Sequence, residues 1–128
     1  MKILLDTHVL LWMLEDAPQL TNRARQLIDD KDNELCFSSI SIAEIAIKHQ
    51  RNPKLMIPTP NEVRRFAIAS DIGELNFTSA HAISLADLPL HHRDPFDRML
   101  LAQAMASGMK ILSHDDHFPA YGDFVVAV

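Results

Sequence analysis

Apolar residues fall into two kinds of run along this chain. Met1–Leu5 (MKILL) and Met109–Leu112 (MKIL) are short, continuous and of strand length, the pattern of strands covered on both faces. Elsewhere the apolar positions recur at helical spacing. The first strand ends at Asp6-Thr7, either of which suits the N-cap of a helix over His8–Glu15. That helix is apolar nearly all round from Val9 to Leu14, which predicts burial or a surface for a partner, burial being favoured. Asp16-Ala17-Pro18 breaks it. Thr21 caps a more polar helix through about Asp30, with Ala24, Leu27 and Ile28 facing inward, and a second strand is expected over Glu34–Ser38. Ser39 or Ser41 starts a helix through about His49 whose apolar interior is interrupted by Glu44. Such a glutamate either reaches the rim of the core or faces a charged partner. Three prolines mark Asn52–Pro60 as a connector. An amphipathic helix over Asn61–Ser70, a short strand at Leu75–Phe77, a short helix at Thr78–Ala86 and a last strand over Asp123–Val128 complete the pattern.

The stretch Arg93–Asp116 organises the rest. Asp94 suits an N-cap and Pro95 the first helical position, where a missing N–H costs nothing. Asp97, Leu100, Leu101 and Ala104 then share one helix face. Arg98, four residues after Asp94, is placed to pair with it. Gly108 supplies the stop, and Ser113-His114-Asp115-Asp116 follow the second MKIL run, with Asp116 expected to cap the segment beyond. Strands alternating with helices predict an α/β domain with a mostly parallel central sheet flanked by helices. In such sheets ligands gather beyond the carboxyl ends of the strands. Asp6 and Asp115 lie at two of those ends, while Glu44 and Asp97 sit early in helices on the same side. Four carboxylates are thus expected in one crevice.

Length and composition narrow the class. A chain of 128 residues suits one domain, 1–128. The lone Cys36 permits no internal disulfide and suits a reducing cytoplasm. No secretory leader or membrane span is expected. A net charge of −5 disfavours sequence-independent nucleic-acid binding through a basic surface and suits an acidic, cation-holding pocket.

Several carboxylates share a site in ionised form only with a cation to offset their repulsion. Mg²⁺ or Mn²⁺ prefers such oxygen ligands, and an ion of this kind promotes phosphodiester hydrolysis. There is no cysteine nucleophile suited to that chemistry, no Gly-rich phosphate loop, and no defensible Ser–His–Asp order. The motifs LLDTH (Leu4–His8), the Ser39–Lys48 segment with its AEIAIK end, HHRDPFDRMLLAQA (His91–Ala104) and ILSHD (Ile111–Asp115) together resemble the PIN-domain nucleases. More narrowly, they resemble toxin subunits of VapBC-type toxin–antitoxin pairs. The resemblance runs through essentially the whole chain, in order, and the HHRDPFDR run is its most specific part. It implies a PIN-like three-layer sandwich, an acidic Mg²⁺/Mn²⁺ pocket that cuts RNA, homodimerisation, and neutralisation by a small antitoxin. Carried over by position, Asp6 and Asp97 match the main metal ligands. Glu44 matches an acid acting through the metal or its water, and Asp115 the acid completing the pocket. Thr7 and Ser113 match supporting hydroxyls. Ala43 stands where an aromatic is common, and Asn52–Ile57 lacks a usual glycine; both bear on packing, loop shape and substrate choice.

Three rivals are weaker. His91-His92 and His114/His117 suggest zinc, but neither pair has the ligand number and spacing of a zinc site; His91 and His92 fit a groove wall better. A phospho-acceptor receiver domain needs an aspartate ending its third strand, which LNF lacks. A catalytically silent PIN-like module binding RNA or a protein would be marked by loss of a pocket acid, and all four are present.

Overall fold

The computed structural model describes all of residues 1–128. The elements in chain order are β1 (Lys2–Leu5), α1 (Thr7–Glu15), α2 (Asn22–Asp29), β2 (Glu34–Ser38), α3 (Ser39–Arg51), α4 (Pro60–Ala69), β3 (Gly73–Leu75), α5 (Ser79–Ser84), α6 (Pro95–Ala106), β4 (Lys110–Ser113) and β5 (Val125–Ala127). Single 3₁₀ turns occupy Leu85–Asp87 and Pro119–Tyr121. The five strands form one sheet in the order β3-β2-β1-β4-β5, and every pairing is parallel.

The continuous apolar runs explain the layering. Successive residues of a strand point to opposite faces. Ile3 and Leu5 of β1 join Leu112 of β4 in a core with Val9 and Leu10 of α1, Ile45 of α3, and Val63 and Ala67 of α4. Leu4 and Ile111, which alternate with them, join Leu100, Leu101 and Ala104 of α6 and Phe118 in a second core. The sheet is thus apolar on both faces and helices cover both, the three-layer α/β arrangement that the sequence leads one to expect.

Side-chain caps fix the helix starts. Thr21 accepts from the Ala24 N–H at 3.2 Å, Ser38 from Ile40 at 3.0 Å, Thr59 from Glu62 at 3.2 Å and Asp94 from Asp97 at 3.0 Å. Thr78 and His81 form a reciprocal capping box at α5. The start of α1 differs: Asp6 holds the cap position, yet its side chain makes no capping bond.

Three expectations need correction. The third strand is Gly73–Leu75, two residues before the expected Leu75–Phe77. As an edge strand it has an exposed Gly73 and Glu74, so apolar patterning could not locate it, and the Phe77 N–H turns to the Ser39 hydroxyl at 3.0 Å. Arg98 does not pair with Asp94; it donates to the carbonyls of Pro89 and Leu88 and to the Tyr121 hydroxyl. Asp116 caps nothing, because Asp115 takes the His117 N–H at 2.8 Å. The apolar helix α1 is split: Val9 and Leu10 are buried, while Leu11–Leu14 are half-buried.

Leu100 is wholly buried at the centre of the second core. Leu100→Ala is expected to cost ~2–5 kcal/mol of folding free energy. A lower urea midpoint at unchanged slope would show this.

Candidate active site

The strand order reverses beside β1: β2 and β3 extend the sheet on one side of it, β4 and β5 on the other. Beyond the carboxyl ends of neighbouring parallel strands at such a reversal, the connections diverge and leave a crevice. Asp6 leaves β1 at this point, with its N–H on the Leu112 carbonyl at 3.0 Å. Ser113 ends β4 beside it, and its hydroxyl donates to Asp6 Oδ2 at 2.9 Å while accepting the Asp115 N–H at 3.0 Å. One serine therefore ties together the acids that follow both strands. The Thr7 hydroxyl faces Ser41 at 2.8 Å and so joins α1 to α3, the helix that carries Glu44, instead of supporting an acid directly.

The four acids have one feature in common. Each has one oxygen held by a protein donor, and the other oxygen has no protein partner. Asp6 Oδ2 is held by Ser113, and its buried Oδ1 is unpaired. Glu44 Oε2 is held by Lys48 at 2.8 Å, one helical turn on, and its buried Oε1 is unpaired. His92 Nε2 reaches Asp97 Oδ2 at 3.3 Å, and His117 donates its N–H to Asp115 Oδ1. Asp6 and Glu44 are 2% and 4% exposed. A buried carboxylate oxygen without a donor is costly and calls for explanation.

Electrostatics gives the same picture. Burial pushes the Asp97 carboxyl up to about 8, reinforced by the negative charges of Asp6, Asp94, Asp115 and Glu44. Burial also raises Asp6, against the Ser113 hydrogen bond and His8, with Glu44 and Asp115 adding to the rise. Asp115 is the exception. Its partial burial is outweighed by the His117 hydrogen bonds and by the nearby imidazoles of His117 and His92, so its carboxyl lies below the usual range.

All four acids named from the sequence thus act on one another at one site. No three His, Cys, Asp or Glu side chains stand as a ready-made metal cluster. The donor set nevertheless fits a hard divalent cation: unpaired carboxylate oxygens, mutual repulsion, and no cysteine among them. A larger hollow of about 600 Å³ along α2, lined by Asn22, Arg25, Gln26, Asp29 and Asp30, contains none of these acids.

Tyr121 went unnoticed in the sequence. Its hydroxyl faces the N–H groups of His91 and His92 at 3.2 Å and Arg98 Nη1 at 3.1 Å. It also faces His92 Nδ1 at 2.8 Å. A phenol has one hydrogen to give. Among these neighbours only an unprotonated Nδ1 can accept it. The ring proton of neutral His92 then lies on Nε2 and is donated to Asp97. Burial lowers the His92 pKa, with Asp115 and Asp94 opposing and His117 and Arg98 adding to the shift, which keeps the ring neutral. Gln103, also unnoticed, is fully buried and donates Nε2 to the Leu75 carbonyl at 3.2 Å, tying α6 to the end of β3. Lys48 had a readable signal, its i,i+4 spacing from Glu44; Tyr121 had none.

The PIN domain family model matches residues 3–123, nearly the whole chain, and the chain belongs to that family. It is similar to Ribonuclease VapC22 of Mycobacterium tuberculosis (strain ATCC 25618 / H37Rv), with 30% identity over 115 residues, 88% of this chain and 86% of that protein. Its fold is similar to that of VapBC2 from Rickettsia felis bound to a DNA fragment from their promoter, with TM-score 0.70 and 15% identity over 100% of this chain and 98% of that one. DNA-bound VapBC from Salmonella typhimurium gives TM-score 0.68 and 18% identity over 99% and 98%. FitAcB from Neisseria gonorrhoeae gives 0.62 and 20% over 98% and 96%. At these identities the structural likeness is one of fold.

Two predictions follow from the acids and from Tyr121. With its carboxyl raised to about 8, folded Asp97 holds a proton that the unfolded chain releases near pH 4. Stability of metal-free protein should therefore fall between about pH 4 and about pH 8 and level off above. The raised Asp6 contributes with the same sign, and the lowered Asp115 acts oppositely, below that window. Thermal melts in chelator should show Asp97→Asn flattening the decline and melting above wild type at the alkaline end. Tyr121→Phe leaves the His91 and His92 N–H groups without their acceptor, while Arg98 keeps the Pro89 and Leu88 carbonyls, and should cost about 1 kcal/mol. It should also release the His92 tautomer, which ¹⁵N shifts of the ring would report.

Proposed function

We propose that this chain is a Mg²⁺- or Mn²⁺-dependent endoribonuclease that hydrolyses RNA phosphodiester bonds, acting as the toxin component of a type II toxin–antitoxin pair. The observation that carries the reading is the group of four acids with unpaired oxygens around Asp97, whose carboxyl is pushed up to about 8. It is supported by membership of the PIN family and by the relative named as a ribonuclease. The likeness in fold to VapBC and FitAcB assemblies supports a small antitoxin as the protein partner and is compatible with a homodimer. No helix is long and apolar enough to cross a membrane, and the proposed setting is the cytoplasm.

Asp6, Glu44, Asp97 and Asp115 would hold the cation. When bound, it offsets their repulsion, acidifies water at the phosphodiester and stabilises charge on the non-bridging oxygens. The rest of the work falls to the protein. Ser113 fixes the rotamer of Asp6, and Lys48 that of Glu44, so the free oxygen of each stays turned to the site. The Nε2–H of His92 does the same for Asp97. Asp97 would give up its proton on cation binding, so loading of the site would become more favourable toward alkaline pH. Such outer partners commonly matter nearly as much as the ligands they orient.

The decisive experiment is cleavage of a mixed RNA pool with added Mg²⁺ or Mn²⁺, wild type beside Asp97→Asn. Cutting by wild type is expected, falling to background in the variant and in excess chelator, with the circular dichroism spectrum unchanged. Full activity in the variant or in chelator would falsify the mechanism. Absence of both cutting and cation binding would favour the silent binding module.

A further inference from the structure

A cavity of about 180 Å³ opens beside the acids, lined by Asp6, His8, Trp12, His114 and Asp115. Two of its residues are pocket acids and the other three carry rings. The Trp12 and His114 centroids lie 5.7 Å apart at 67°, edge to face. His8, one helical turn before Trp12, lies 6.1 Å from it at 35°. The body of Trp12 packs on the core while the residue stays half-buried, and His8 and His114 are exposed. His114 is anchored through Nδ1 to the Val128 carbonyl.

A tryptophan kept only for core packing would have no reason to line a cavity whose remaining walls include two acids of the site. The acids also decide what can enter. Free carboxylate oxygens repel an uncompensated phosphate, so an anionic group has no place against these walls without a cation. A neutral, flat ring does, because it stacks on aromatic side chains whatever its identity.

We propose that this cavity seats a nucleobase of the RNA, stacked on the Trp12 indole and bounded by His8 and His114, next to the phosphodiester at the acids. The assignment rests on the ribonuclease reading and deepens it. A base seated there is out of its helical stack, so the substrate is unpaired at that nucleotide. Trp12 contributes binding and placement, while the acids and their cation contribute the chemistry.

Trp12 is the only tryptophan, so its fluorescence reports on this cavity alone. The test uses the Asp97→Asn protein, expected to bind without cutting, titrated with a labelled single-stranded RNA oligonucleotide. Anisotropy of the label measures binding, and Trp12 emission is read in the same titration. Saturable quenching that tracks binding is expected, weaker with an abasic oligonucleotide and with duplex RNA. In the active protein, Trp12→Ala should raise KM about tenfold with kcat changed far less, and Trp12→Phe should recover most of the loss. If Trp12→Ala does not fold, His114→Ala serves in its place and should raise KM in the same direction. Binding with no change in emission, or equal quenching by the abasic oligonucleotide, overturns the seat. So does emission that ignores RNA and shifts only with the co-expressed antitoxin, which makes the cavity a protein contact. Metal-dependent cutting indifferent to Trp12 removes the base seat alone. Quenching by RNA that wild type never cuts removes the ribonuclease reading alone.

Discussion

The constraint on which the rest depends is the repulsion among four carboxylates at the carboxyl edge of the sheet. Left to themselves, such groups separate into solvent, where water screens them. Here they cannot. Asp6 is fixed by the last backbone bond of β1 to β4, Glu44 by the packing of α3, and Asp97 by the cap that starts α6. The apolar sheet between two helical layers keeps them in place, and part of its stability is spent against their charge. The Asp97 carboxyl at about 8 reflects its burial first and the neighbouring negative charges second: lacking a countercharge, the site favours a proton there instead.

Around the acids lies a ring of neutral or cationic donors, each turned to one oxygen. Ser113 is the most economical of them, since a single hydroxyl orients Asp6 and the backbone of Asp115 together. On the other side, Arg98 and Tyr121 hold the Leu88–His92 loop against α6, and through His92 the same clamp reaches Asp97. Asp115 stands apart, with a lowered carboxyl and partial exposure. It is therefore the acid most readily ionised and the one nearest to solvent.

The aromatic cavity beside Asp6 and Asp115 gives this edge of the sheet a second character. Carboxylates gather on one side and aromatic rings on the other, the two requirements of a nucleotide, whose phosphate needs compensation and whose base needs a flat partner. The half-buried face of α1 belongs to both, because it begins at Asp6 and carries Trp12 one turn past His8.

Much of this was legible in the sequence, for physical reasons that differ by residue. The MKILL and MKIL runs determined buried parallel strands, because only a sheet covered on both faces accepts so continuous an apolar run. Asp94-Pro95 determined the start of α6, because capping is local chemistry. Asp6 and Asp115 stood out as acids at the ends of apolar strand runs, and Glu44 and Asp97 as acids on apolar helix faces. Local signals failed where a partner distant in the chain decided the outcome. Gly73–Leu75 became the edge strand by pairing with β2, with no apolar signature of its own. Arg98 abandoned the neighbouring Asp94 for Tyr121, 23 residues away. One side-chain oxygen of Asp6 was left for the site because Ser113, 107 residues on, took the other and no capping bond used the free one. Sequence alone determined which elements form and which acids they carry, since both follow from short-range spacing. Only the tertiary structure decided which oxygen of each acid is held and which is free, because that depends on contacts between residues that meet only once the sheet has closed.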